Sequence, residues 1–135
     1  MKKDVAIVIL ENSAGQFYTT KRAAEKYSLG VCSLGVGVTV EPGERPEEAA
    51  ARELLGLGIE AKVEHFSTIP TGDNGTSHSI HAFKIRYDGN VSPSQKFECG
   101  YWTTPKMIDA MVDADALCPD TKKAYQQYRK MYLIS

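Results

Sequence analysis

The chain lacks most of the features that tie a sequence to a specialised setting. No uninterrupted apolar run approaches the ~20 residues of a membrane span, so no membrane partner is expected. Charge of one sign is not in excess. The 16 Lys and Arg against 17 Asp and Glu leave a formal net charge of −1, and no nucleic-acid polymer or anionic surface is expected as partner. Cysteine is scarce. Cys32, Cys99 and Cys118 are odd in number and far apart, which fits neither a disulfide framework nor a cysteine-built zinc site. Reduced thiols and a cytoplasmic location are the expectation. Internal repeats, low-complexity tracts and linkers are missing too. The opening MKKDVAIVIL has a basic head and a short apolar stretch, but Glu11 and Asn12 follow at once. With no small-residue cleavage site it reads as a first β-strand, not as a signal peptide.

What is present is ordinary for a globule. The 135 residues, 42% of them apolar and 24% charged, suit a single domain spanning 1–135 with one core. Val5–Leu10 has the length and apolarity of a strand. Asn12-Ser13-Ala14-Gly15 supplies turn chemistry before a second strand over Gln16–Thr20. The Gly- and Val-rich stretch Val31–Val40 suggests a strand with close backbone approach or a bulge. Two further strand-like runs, Ile59–Ile69 and Ser77–Tyr87, flank a turn-rich segment at 71–75, and Phe97–Thr103 is a last short strand. Thr104-Pro105 opens a helix to about Val112. A final helix from Asp120 to about Tyr132 places Ala124, Tyr125, Tyr128 and Tyr132 on one buried stripe.

The most informative stretch is 37–59, GVTVEPGERPEEAAARELLGLGI. Pro46 suits a first helical turn, and Glu47 and Glu48 complement the positive end of the helix dipole. Glu48 and Arg52 stand at i,i+4 spacing. Gly56 and Gly58 end the helix. The spacing therefore predicts a helix from 46 to about 56.

This stretch resembles the Nudix box, G-x5-E-x7-R-E-U-x-E-E-x-G-U with U a bulky aliphatic residue. Glu44, Arg52, Glu53 and Leu54 match without a gap, and Gly37, Gly43, Glu44 and Arg52 correspond to the box's structural part. The family's two further carboxylates would lie three and four positions beyond Glu53. Gly56 and Leu57 stand there, and the interval to Gly58-Ile59 is one residue short. The resemblance implies a Nudix-fold α/β/α sandwich, of α+β class, with a mixed, partly antiparallel sheet. It implies Mg²⁺ or Mn²⁺ bridging box carboxylates and a diphosphate, with Glu53 as remaining catalytic residue and metal ligand and the Glu44–Arg52 ion pair bracing the loop. Because the carboxylate pair is missing, the metal is expected to be weakly bound and hydrolysis weak.

Other segments extend the resemblance. Glu98, four positions before Trp102, stands where an acidic residue often faces the Nudix site and is a second candidate metal ligand. Lys21 and Arg22 are candidates for contact with substrate phosphate, with surface charge as the alternative. Together with Trp102 and Leu117-Cys118-Pro119-Asp120, they are similar to the subgroup related to isopentenyl diphosphate isomerase. Gly37 replaces that subgroup's cysteine and Thr39 its usual histidine, so isomerase chemistry is not expected. His78 and His81 have a separation that puts them on opposite faces of a regular strand, unsuited to sharing one metal. Two readings stay open: a hydrolase of a small phosphorylated, diphosphate-containing metabolite, and a non-catalytic module binding a nucleotide, phosphorylated metabolite or protein. A homodimer is compatible with either.

Overall fold

The structure is a computed structural model describing residues 4–22, 32–70, 78–89, 97–114, 117 and 119–133; for 21, 22, 32, 33, 97–99, 119 and 133 it describes the backbone alone. Among the described residues there are seven strands, joined in one mixed sheet, and three α-helices. The strands are β1 (Val5–Glu11), β2 (Phe17–Arg22), β3 (Cys32–Leu34), β4 (Val36–Thr39), β5 (Glu64–Pro70), β6 (Ser79–Arg86) and β7 (Phe97–Thr103). The helices are α1 (Pro46–Leu55), α2 (Pro105–Asp113) and α3 (Pro119–Tyr128), the last running into a π-helical turn at Arg129–Leu133.

β1 is the centre of the sheet. It runs parallel to β6 from Val5↔Ile80 to Glu11↔Arg86 and antiparallel to β4 from Val5↔Thr39 to Val8↔Val36. Its last residue pairs with Phe17 of β2, closing the expected hairpin. β5 borders β6 and β7 borders β2, both antiparallel.

The glycine-rich stretch is split by Gly35. β3 pairs with β2, whereas β4 has crossed to β1. Gly35 makes the crossing with φ 67° while its N–H donates to the Tyr18 carbonyl. A side chain there would run into the Val8 carbonyl oxygen. Both the left-handed backbone and the close approach require glycine.

Strand alternation sends the β1 residues to two cores. Ile7 and Ile9 join Phe17, Phe66, Ile108, Ala124, Tyr125 and Tyr128 beneath α2 and α3. Ala6, Val8 and Leu10 join Ala49, Ala50, Leu54, Leu57 and Phe83 beneath α1. Helices thus cover both faces of the sheet, as the resemblance implies.

Two element boundaries differ from expectation. β5 begins at Glu64, not Ile59. The intervening residues cross over the α1-side core, with Ile59 buried and Ala61 and Val63 packed against it. The C-terminal stripe is less buried at its end than expected. Ala124, Tyr125 and Tyr128 are buried, but Tyr132 is 43% exposed. Tyr132, on the π-helical turn, still meets the stripe, its ring 4.9 Å from that of Tyr128 and 6.0 Å from that of Phe66, with Lys84 Nζ over it at 3.9 Å.

Candidate functional site

The loop before α1 is built on Glu41-Pro42-Gly43-Glu44. The Glu44 N–H donates to the Glu41 carbonyl at 3.0 Å, and Gly43 has φ 81°. Proline second and a left-handed glycine third are the chemistry of a type II turn. Pro46 then starts the helix, and the Glu48 carboxylate accepts the Arg45 N–H at 2.8 Å. Glu48 is therefore turned back to Arg45, which it also meets as an ion pair at 3.8 Å. Arg52 turns to Glu44, the partner the resemblance implies, and not to Glu48 at i,i+4 spacing.

The Glu44–Arg52 contact is bidentate. Arg52 Nε donates to Glu44 Oε2 and Nη2 to Oε1, each at 3.0 Å. Nη2 also donates to the Thr39 carbonyl at 3.3 Å, and the Glu41 N–H donates to Glu44 Oε1 at 3.0 Å. One guanidinium thus pins the end of β4, the turn and the helix together. The Arg52 bonds, followed by the Glu41 N–H, hold the Glu44 carboxyl below the usual glutamate range. Thr39 enters this brace through its backbone, for which side-chain identity carries no signal. Gly37 lies opposite Ile7 in the β1–β4 register, and a Cβ there would sit 3.0 Å from Ile7 Cδ1.

Glu53 is not on a solvated helix face. It is 8% exposed and lies in the buried row Ala49, Ala50, Glu53, Leu54. The helix stops two residues later. The Ile59 N–H donates to the Leu54 carbonyl and the Gly58 N–H to the Leu55 carbonyl, with Gly58 at φ 78°. This pair of bonds around a left-handed glycine is a Schellman motif, and Leu54 and Ile59 supply its apolar contact. Gly56 and Leu57 accordingly lie in the terminating turn, and Leu57 is a core residue, 2% exposed.

The other candidates are dispersed. Lys21 and Arg22 end β2, where the register against β7 shifts; Cys99 faces Lys21 and Phe97 faces Arg22, leaving Glu98 at the bulge. The side chains of Lys21, Arg22 and Glu98 lie outside the described residues. His78 precedes β6 and meets Asp120 at 3.4 Å, whereas His81 Nε2 meets Asp4 Oδ2 at 2.9 Å. The two histidines have separate carboxylate partners, in keeping with their expected separation. Trp102 packs its edge on Tyr18, centroids 5.4 Å apart, against the α1-side core.

A resident divalent metal can be tested against these donors. Mg²⁺ takes six oxygens and manages with one or two protein carboxylates only when phosphates and waters supply the rest. Among the described residues no group of three or more His, Cys, Asp or Glu is placed to hold an ion. Of the box carboxylates that the resemblance implies, Glu53 is the one present on α1, and a single carboxylate does not make a resident metal centre.

Comparison with known proteins fits this architecture. The chain aligns over 96% of its length with the MutT protein of Methanosarcina mazei Go1, at TM-score 0.74 and 15% identity, covering 94% of that chain. The solution structure of the Escherichia coli ORF135 protein aligns over the whole chain and 96% of its own, at TM-score 0.71 and 25% identity. A Caenorhabditis elegans Ap4A hydrolase, crystallised as a binary complex, covers 96% of both chains at TM-score 0.66 and 18% identity. No curated protein matches the chain. The family model described as the NUDIX domain matches residues 1–132. The bidentate brace, the box helix and this match agree: the chain is a member of the Nudix family.

Proposed function

We propose that the protein is a Nudix-type hydrolase of a small metabolite containing a diphosphate, dependent on Mg²⁺ or Mn²⁺ and slow. The observation that carries this reading is the contrast within one helix. The Glu44–Arg52 brace is complete, while the carboxylates that should follow Glu53 are replaced by a turn glycine and a core leucine. A preserved brace holds the loop in the shape a diphosphate site needs. A depleted ligand set leaves less charge to stabilise the leaving oxygen, and each ~1.4 kcal/mol lost is about a tenfold loss in rate.

In this reading a divalent ion, when bound, supplies the positive charge that a diphosphate ester needs for attack by water. The chain contributes Glu53 as one oxygen ligand and leaves the rest of the shell to the diphosphate and to water. Glu44 and Arg52 act by positioning α1 and the turn. Lys21 and Arg22 are proposed as phosphate contacts and Glu98 as a supplementary ligand. Within the family we place the chain nearest the isopentenyl diphosphate isomerase-like members, on the strength of Trp102 and the Leu117–Asp120 entry to α3. Isomerase chemistry itself is not proposed, because Gly37 stands where the cysteine would be.

The test is a screen of nucleoside diphosphate sugars, dinucleoside polyphosphates, ADP-ribose and nucleoside triphosphates with Mg²⁺ and Mn²⁺. Slow, metal-dependent turnover of one class supports the proposal. Turnover at the ordinary ~1–1000 per second would refute the slow site. Binding without turnover in every class would favour the rival reading, a non-catalytic module for a phosphorylated ligand.

A further inference from the structure

The α3-side face of the sheet changes character at one end. Ile7 and Ile9 of β1 and Ile80 and Ala82 of β6 belong to the core beneath α3. By strand alternation the next residues on that face are Glu11, Lys84 and Arg86. Glu11 lies opposite Arg86. Glu64 of β5, ahead of the bulge between His65 and Ser67, lies opposite Lys84. Two carboxylates and two cations therefore meet where Tyr128 and Tyr132 come down from the end of the last helix. These six residues line a cleft of about 440 Å³.

Their mutual contacts leave binding capacity over. Tyr128 donates its hydroxyl to Glu11 Oε1. Burial, and then this bond, raise the phenol's pKa, so the proton stays on the tyrosine. One hydroxyl does not saturate a carboxylate, which has about four acceptor positions. Lys84 Nζ stands 3.6 Å from Glu64 Oε2 and 3.9 Å from the centre of the Tyr132 ring, and an ammonium has a third direction in which to donate. Arg86 is freer still. It is exposed, and its guanidinium makes no hydrogen bond or ion pair among the described residues, although Glu11 is its neighbour across the strands. A planar fork of donors is thus presented at the rim of the cleft, the geometry that takes a carboxylate bidentately.

The balance of charge selects the ligand. A phosphate, with nearly two negative charges, would face Glu11 and Glu64, and a simple cation would face Lys84 and Arg86. A head group with one charge of each sign satisfies both sets. Arg86 and Glu11 stand on neighbouring strands, about 4.8 Å apart, so one small head group can span them. We propose that this cleft binds a free α-amino acid, its carboxylate on Arg86, its ammonium on Glu11 and its side chain beside Tyr132. The box helix packs on the other face of the sheet and lends no residue to the cleft, so the site does not rest on the hydrolase reading.

NMR titration of the isotope-labelled full chain with each of the standard L-amino acids tests it. At least one should give a saturable shift of the Lys84 and Arg86 amides and of the Tyr132 ring, while the amides of α1 stay in place. The methyl ester of that amino acid, and its N-acetyl form, should each bind about tenfold more weakly or worse, since each lacks one charged contact. Arg86→Gln, at an exposed position, should weaken binding by about tenfold or more. Glu11→Gln should do the same, and its amide oxygen can still accept the Tyr128 hydroxyl. Arg45→Gln, on the other side of the molecule's sheet, should leave binding unchanged. No saturable shift with any amino acid, undiminished binding in Arg86→Gln, or equal binding of the free and esterified forms would overturn the proposal. So would tighter binding of inorganic phosphate at the same signals.

Discussion

Glu53 and Glu44 stand at either end of the same segment and do different work. Glu53 is almost enclosed, in line with Ala49 and Ala50 on the buried side of α1. Glu53→Gln keeps its size and hydrogen-bonding capacity but removes the charge that a hard cation requires. Any metal-dependent hydrolysis should fall at least about tenfold, while thermal unfolding shifts by no more than about 1 kcal/mol. Unchanged activity with unchanged metal dependence would move the centre away from α1, and Glu98 would be the next residue to substitute. Glu44 is a positioning residue whose effect depends on pH. Its carboxyl is held below its ordinary value by Arg52 and the Glu41 N–H, so its contribution is present above the unfolded-state value and fades as pH falls through the folded one. The melting temperatures of the unmodified chain and Glu44→Gln should differ at neutral pH and converge below about pH 4. A difference that persists in acid would show that the brace does not depend on the carboxylate charge. At this scale the sequence was informative where spacing mattered. The match of Glu44 and Arg52 to the family's spacing implied their contact, but nothing in the sequence showed that Glu53 would be buried.

Helix and strand ends explain what could and could not be read at the next scale. The C-terminus of α1 was legible because Gly58 does a job that only a left-handed residue does cheaply, and because Leu54 and Ile59 flank it at the right distance. Gly58→Ala should destabilise the fold by about 1–2 kcal/mol, measured by urea denaturation. A neutral result would mean that the Schellman turn is not held in solution. Gly35 is more demanding, since its φ and the neighbouring Val8 carbonyl both forbid a side chain. Gly35→Ala should cost more than about 3 kcal/mol, because the strand can no longer pass from β2 to β1. Soluble, cooperatively folding Gly35→Ala protein of native stability would contradict that crossing. Other ends were hidden. The bulge in β5 has no residue signature, since Phe66 and Ser67 are unremarkable in a strand. The π-helical turn at Arg129–Leu133 was equally silent. The tyrosine spacing was that of a continuing helix, and Tyr132 does extend the row onto Tyr128 and Phe66 while staying partly exposed.

The arrangement of the two cores decides how the molecule should behave as a whole. β1 donates alternate residues to both, Ile7 and Ile9 to one and Ala6, Val8 and Leu10 to the other. Loss of either helical layer would uncover one face of the same central strand, and its paired neighbours β4 and β6 would lose half of their burial with it. The cores are therefore coupled through a shared sheet and should not melt separately. The single tryptophan, Trp102, packs on Tyr18 on the α1 side, whereas Tyr125 and Tyr128 pack edge-on against Phe17 on the α3 side. Urea unfolding followed by Trp102 fluorescence, which reports the α1 side, and by the NMR ring signals of Tyr125 and Tyr128, which report the α3 side, should give coincident transitions with the same midpoint and slope. The chain would then fold as the single unit expected from its length. Transitions separated by more than experimental error would show that the α3 layer comes away while the box helix and its sheet face persist, and the chain would have to be treated as two cooperative units joined at β1.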